Sequence, residues 1–136
     1  MQAISAAPSR TKLDAVPLLC GGEWQELSGV DVTPIHNPST GEVIAETPMC
    51  TSVHVDAAVE AAAAAFPAWW ETPPTERARI FFRFKALLEE HFEDLVHCNT
   101  REHGKTLVES RGDVKRGIEM VEFACGVPSL MMGENL

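Results

Sequence analysis

The spacing of apolar residues changes once, at Met49, and that change commits the chain to a β segment followed by an α segment. Before it, short apolar runs alternate with breaks. Val16 to Cys20 is followed by Gly21-Gly22, and Glu23 to Leu27 by Ser28-Gly29. Val30, Val32 and Ile35 lead to Asn37-Pro38, and Ser39-Thr40-Gly41 precedes Glu42 to Thr47. Runs bounded in this way predict short strands and turns over residues 16–49, a β-meander in which Trp24 faces a core. After Met49 the apolar period lengthens to about 3.6 residues, the repeat of amphipathic helices.

Four helices are predicted over residues 52–132. The first takes Thr51 as its N-cap, carries Val55, Val59, Ala62 and Phe66 as one stripe, and ends near Pro67. The second starts after Thr72, with Pro73 where a missing N–H costs little. Its stripe is Ile80, Phe84, Leu87 and Leu88, widened by Phe81, while Arg77, Arg79, Arg83 and Lys85 form a solvated face. Phe92, Leu95 and Val96 belong to a third helix that stops at Gly104, a natural left-handed cap. Thr106 begins the fourth, and Thr106-Leu107-Val108-Glu109 has capping-box spacing.

Gly104-Lys105-Thr106 also spells the end of a phosphate-binding loop. Such a loop needs a strand, then two glycines at fixed spacing, then a helix, so that backbone N–H groups close on the phosphates. Here Asn99 stands at the first glycine position and the preceding element is helical, which excludes a nucleotide hydrolase. His91, His97 and His103 are six apart, placing neighbours roughly 240° apart on a helix, where they cannot share a metal ion.

The fourth helix carries the most information about function. Val114, Ile118, Val121 and Cys125 make one stripe; Gly112, Arg116, Met120 and Phe123 lie on nearly the opposite side. The helix is therefore expected to be covered on two faces, with Arg116 in the second. A guanidinium set among a glycine, a methionine and a phenylalanine either extends to water or holds a carboxylate in a sheltered place.

A formal charge of −9 with no Lys/Arg cluster argues against nucleic acid or an anionic membrane as partner. No apolar run approaches a membrane span. Cys20, Cys50, Cys98 and Cys125 show no C-x-x-C pairing and are read as free thiols in a reducing compartment, the cytoplasm rather than the mitochondrial matrix. Residues 1–15 contain Arg10 and Lys12 with no acid before Asp14; of a short transit peptide and a flexible tail, the tail is the reading adopted.

Several segments in order resemble the amino-terminal part of an aldehyde dehydrogenase. They are Gly21-Gly22-Glu23-Trp24, Asn37-Pro38-Ser39-Thr40-Gly41-Glu42-Val43-Ile44, Val55-Asp56-Ala57-Ala58-Val59, Arg77-Ala78-Arg79-Ile80 and Glu102-His103-Gly104-Lys105-Thr106. Arg116-Gly117-Ile118-Glu119, followed by the run from Val121 to Gly133, is similar to the CoA-acylating methylmalonate-semialdehyde dehydrogenases. The resemblance covers almost everything after Val16.

It implies an α/β fold in which residues 16–136 are part of an NAD-binding domain whose central parallel sheet lies outside this chain. It further implies oxidation of methylmalonate or malonate semialdehyde through a cysteine thiohemiacetal. NAD would take the hydride and CoA the acyl group, with loss of carbon dioxide, as in valine and inositol breakdown, in a homodimer or homotetramer. The nucleophilic cysteine, the dinucleotide loop and the oxyanion asparagine are expected beyond Leu136, so no residue here is assigned to catalysis, to NAD or CoA, or to a metal, and the chain alone should be inactive. Arg116 matches the arginine expected to bind the substrate carboxylate. The competing expectations are another aldehyde dehydrogenase branch, or a helical interaction module without catalysis.

Overall fold

The computed structural model describes residues 15–134. Residues 1–14, most of the expected tail, lie outside it; Ala15, assigned to the same tail, forms a parallel bridge with Glu46.

The β segment is two separate antiparallel hairpins, the short strands and turns expected over residues 16–49, though not paired into one continuous meander. Strands β1 (Leu18–Cys20) and β2 (Glu23–Gln25) pair across Gly21-Gly22. Both glycines have positive φ, 62° and 84°, which a two-residue turn matched to strand twist requires. Trp24 is 70% exposed beside its cross-strand partner Leu19, contrary to the expected core position. The hairpin has only two strands, and its other face, with Leu18, is the one turned to the first helix.

Strands β3 (Val32–His36) and β4 (Val43–Pro48) form the second hairpin, with an irregularity between Ile35 and His36. Its turn is tied by Asn37, whose side-chain oxygen accepts from the Ser39 N–H at 2.9 Å and whose carbonyl accepts from the Gly41 N–H at 2.8 Å. Ile44 of β4 is buried, and with Ala45 it lines a cleft against His97, Cys98 and Arg101.

Among the described residues there are five helices, one more than expected. Helix α1 (Ser52–Glu71) starts at Thr51, whose N–H donates to His54 Nδ1 at 3.0 Å. It does not end near Pro67 but runs through it. Proline already has a helical φ, and the carbonyl it leaves without a donor belongs to exposed Ala63, which water can satisfy. The end comes at Thr72, whose hydroxyl donates to the Ala68 carbonyl at 2.9 Å.

Helix α2 (Pro74–Glu90) has Pro73 at its cap. The expected solvated face divides. Arg79 is exposed, but Arg77, next to buried Ala78, and Lys85 are both half-buried. Arg77 sits 5.9 Å from the centre of the Trp69 ring, and Lys85 donates to Glu89 at 2.7 Å with its side chain only 22% exposed. Long aliphatic stems let both cover apolar neighbours, which a charge-based reading overlooks. The expected apolar stripe is correspondingly open, with Ile80, Phe84 and Leu87 between 43% and 53% exposed.

Helix α3 (Phe92–His103) ends at Gly104, with φ of 70°, as predicted. Helix α4 (Leu107–Cys125) packs against α2 and α3, burying Ile118 and Cys125 near Ala78 and Val96. Gly126 breaks the chain before the short α5 (Val127–Leu130), which was expected to continue α4. No helix among the described residues is long and apolar enough to cross a membrane.

Candidate functional site

Helix α4 is fixed at its start, along its inner side and at its junction with the strands. At the start, Thr106 N–H donates to Glu109 Oε2 at 3.0 Å and Glu109 N–H donates to Thr106 Oγ1 at 3.3 Å, the reciprocal pair expected of the capping box. The Thr106 N–H, then the Thr106 hydroxyl donating to the same oxygen at 2.8 Å, hold the Glu109 carboxyl below the usual glutamate range. Along the inner side, Thr100 Oγ1 donates to Ser110 Oγ at 2.8 Å, with Ser110 completely buried, and Arg111 grips Glu93 through two bonds of 3.0 and 2.9 Å. At the junction, Ser39 Oγ donates to the Gly104 carbonyl at 3.0 Å.

Gly104 closes α3 and Thr106 opens α4, so the intervening Lys105 projects from the corner. Its Nζ reaches Asp113 Oδ2, two turns into α4, at 2.5 Å. Arg116 Nη2 donates to the other oxygen, Asp113 Oδ1, at 2.7 Å. The Lys105 hydrogen bond, followed by that of Arg116, lowers the Asp113 pKa from 3.8 to about 2, so the carboxylate is ionised at neutral pH. Lys105, Asp113 and Arg116 therefore sum to one positive charge.

Arg116 is 73% exposed and so does not sit in a sheltered second face: Met120 and Phe123 on that side are each 69% exposed. Helix α4 is thus covered on one face only among the described residues. The Asp113 bond takes Nη2 and leaves Nη1 and Nε as donors on a planar cation suited to a carboxylate. By contrast, a groove of about 500 Å³ between α2, α3 and α4 is lined largely by apolar side chains, together with Asn99, His103, Glu102 and Asp113 and no arginine or lysine, a poor receptacle for an anion.

Cys125 is buried, and burial, then the nearby Glu102, push the Cys98 thiol up. Among the described residues no group of histidines, cysteines and carboxylates could hold a metal ion. Gly104-Lys105-Thr106 is a helix stop and a helix start, and Lys105 is committed to Asp113. The sequence pointed to Arg116 but not to Asp113 or Lys105. The three-residue step from Asp113 to Arg116 was the available signal, whereas the reach from Lys105 crosses a helix boundary.

A sequence profile described as the aldehyde dehydrogenase family matches residues 24–136. The malonate-semialdehyde dehydrogenase 2 of Oceanobacillus iheyensis is 48% identical over 128 residues, covering 94% of this chain and 26% of that protein. Among solved structures, the methylmalonate-semialdehyde dehydrogenase of Oceanimonas doudoroffii superimposes with a TM-score of 0.84 at 38% identity, covering 90% of this chain and 25% of that one. A protein of Sinorhizobium meliloti 1021 described under the same enzyme name, complexed with NAD, gives 0.82 at 36% identity, covering 89% of this chain and 25% of that one. The chain thus spans about a quarter of the length of the relatives it matches. Two hairpins followed by these helices are an amino-terminal portion of that fold, and the chain belongs to the aldehyde dehydrogenase family.

Proposed function

We infer that this chain is the amino-terminal portion of an NAD-dependent, CoA-acylating dehydrogenase of malonate and methylmalonate semialdehyde, and that Arg116 binds the substrate's carboxylate. The observation that carries the reading is the exposed Arg116 fork on a helix fixed at its start and along its inner side, in a chain whose relatives are named for semialdehyde acids. A semialdehyde acid differs from a plain aldehyde by one carboxylate, and a site that hydrogen-bonds such a group rejects molecules lacking it. NAD would accept the hydride and CoA the acyl group. No residue of this segment is assigned to either cofactor. Carbon dioxide release, a place in valine or inositol breakdown, a cytoplasmic setting and a homo-oligomeric assembly belong to the same proposal.

The test uses a full-length chimera in which residues 24–136 replace the matching segment of the Oceanobacillus relative. Arg116→Ala is expected to lower kcat/KM for malonate semialdehyde by about thirtyfold, the loss of one charge-assisted pair. Activity on uncharged propanal should change by less than about threefold, since only the carboxylate contact is removed. Equal losses on the two aldehydes would end the carboxylate role.

A further inference from the structure

We propose that Asp113, itself held by Lys105, is the positioning residue that aims the Arg116 guanidinium at the substrate carboxylate. The inference rests on the carboxylate role of Arg116. An exposed arginine samples many rotamers and gives up that freedom when it grips a ligand. Asp113, three residues earlier on the same helix, already grips Nη2 at 2.7 Å, and Arg116 makes no other side-chain hydrogen bond among the described residues. That bond restricts the rotation of the guanidinium and leaves Nη1 and Nε as its donors for a ligand.

An aspartate beside a carboxylate-binding arginine also carries a difficulty, because its negative charge repels the incoming group and neutralises the cation. Lys105 offsets this through its 2.5 Å bond to the other oxygen of Asp113. With both oxygens engaged, the trio retains a single positive charge, the complement of a single carboxylate. Asp113 is 31% exposed, whereas Arg116 is 73% exposed, so the holder is partly withdrawn into the fold and the held group is offered to the outside. The position of Lys105 follows from Gly104 ending one helix and Thr106 beginning the next. An i,i+3 pair that only stabilised α4 would affect folding and leave substrate discrimination alone.

The two roles separate in the same full-length chimera. Asp113→Asn is expected to raise KM for malonate semialdehyde about tenfold, with kcat and the KM for propanal each within about twofold of the parent. Lys105→Met should shift KM in the same selective way, because Asp113 is then uncompensated. Asp113→Glu keeps the carboxylate and should recover to within about threefold of the parent. Propanal turnover in each preparation reports that the variant is folded. An unchanged KM in Asp113→Asn, or equal KM increases for both aldehydes, overturns the positioning role. Arg116→Ala separates the levels: if it is selective while Asp113→Asn is not, only the positioning role fails, and if Arg116→Ala is itself unselective, both readings fall.

Discussion

A single glycine decides where the functional helix begins. Gly104 has φ of 70°, and a Cβ placed there would lie 2.7 Å from Ser39 Oγ and 2.9 Å from Pro38 Cγ. Alanine would meet both a left-handed backbone penalty and two atoms of a tight turn. Gly104→Ala should therefore destabilise the chimera by about 2 kcal/mol or more, read from its urea midpoint. Ser39→Ala, which removes one exposed hydrogen bond and no shape constraint, should cost about 1 kcal/mol or less. A smaller loss for the glycine change than for the serine change would mean that the corner is not set by steric fit. The helix stop at Gly104 was legible in the sequence because one residue type has one reason to stand there. Its contact with Pro38 and Ser39 was not, since no local spacing reveals which turn will meet which cap.

Helix starts were legible for a related reason: caps are local chemistry. Thr106 and Glu109 satisfy each other within four residues, and Thr106→Ala should cost about 1 kcal/mol of stability in a denaturation series. Retention of the parent midpoint would show that packing alone holds the start of α4. Helix ends and helix faces were harder to read. A proline lacks a donor and reads as a terminator, yet α1 continues through Pro67 to Glu71. Charge alone reads Arg77 and Lys85 as solvated, yet both are half-buried, Arg77 against the Trp69 ring and Lys85 toward α4. The first turns on whether water reaches the Ala63 carbonyl and the second on what α2 packs against, and both are tertiary information. For α4 the inner stripe was correct because Val114, Ile118, Val121 and Cys125 meet α2 and α3, while the outer face carrying Arg116 is left open.

For the molecule as a whole, the balance of covered and open apolar surface makes association the expected behaviour of this chain by itself. Phe84, Leu87, Met120 and Phe123 are all between 46% and 69% exposed, whereas the buried apolar residues among those described are Ile44, Ala78, Val96, Ile118 and Cys125. Sedimentation velocity on the 136-residue chain should show concentration-dependent self-association; a monodisperse monomer with a sharp cooperative melt would count against it.

Acid should weaken the corner in a defined window. The Asp113 pKa is lowered on folding, so its contribution is present above 3.8 and is lost as pH falls through about 2. Glu93, held by Arg111, and Glu109, held by Thr106, shift in the same direction. The chimera's urea midpoint should fall between about pH 4 and about pH 2, and Asp113→Asn should flatten that limb. A limb of equal steepness in the variant would assign the acid sensitivity to other carboxylates.

The bond between Ser39 and the Gly104 carbonyl spans 65 residues of chain. On the ribosome, the β3–β4 turn is made long before the corner it docks against, so the turn exists for a time with nothing beside it. At a translation rate of about 5–20 residues per second that interval is several seconds. Asn37 ties the turn through its own side chain and carbonyl. The loop that will meet the corner thus holds its shape from local bonds while it waits for the corner to be synthesised.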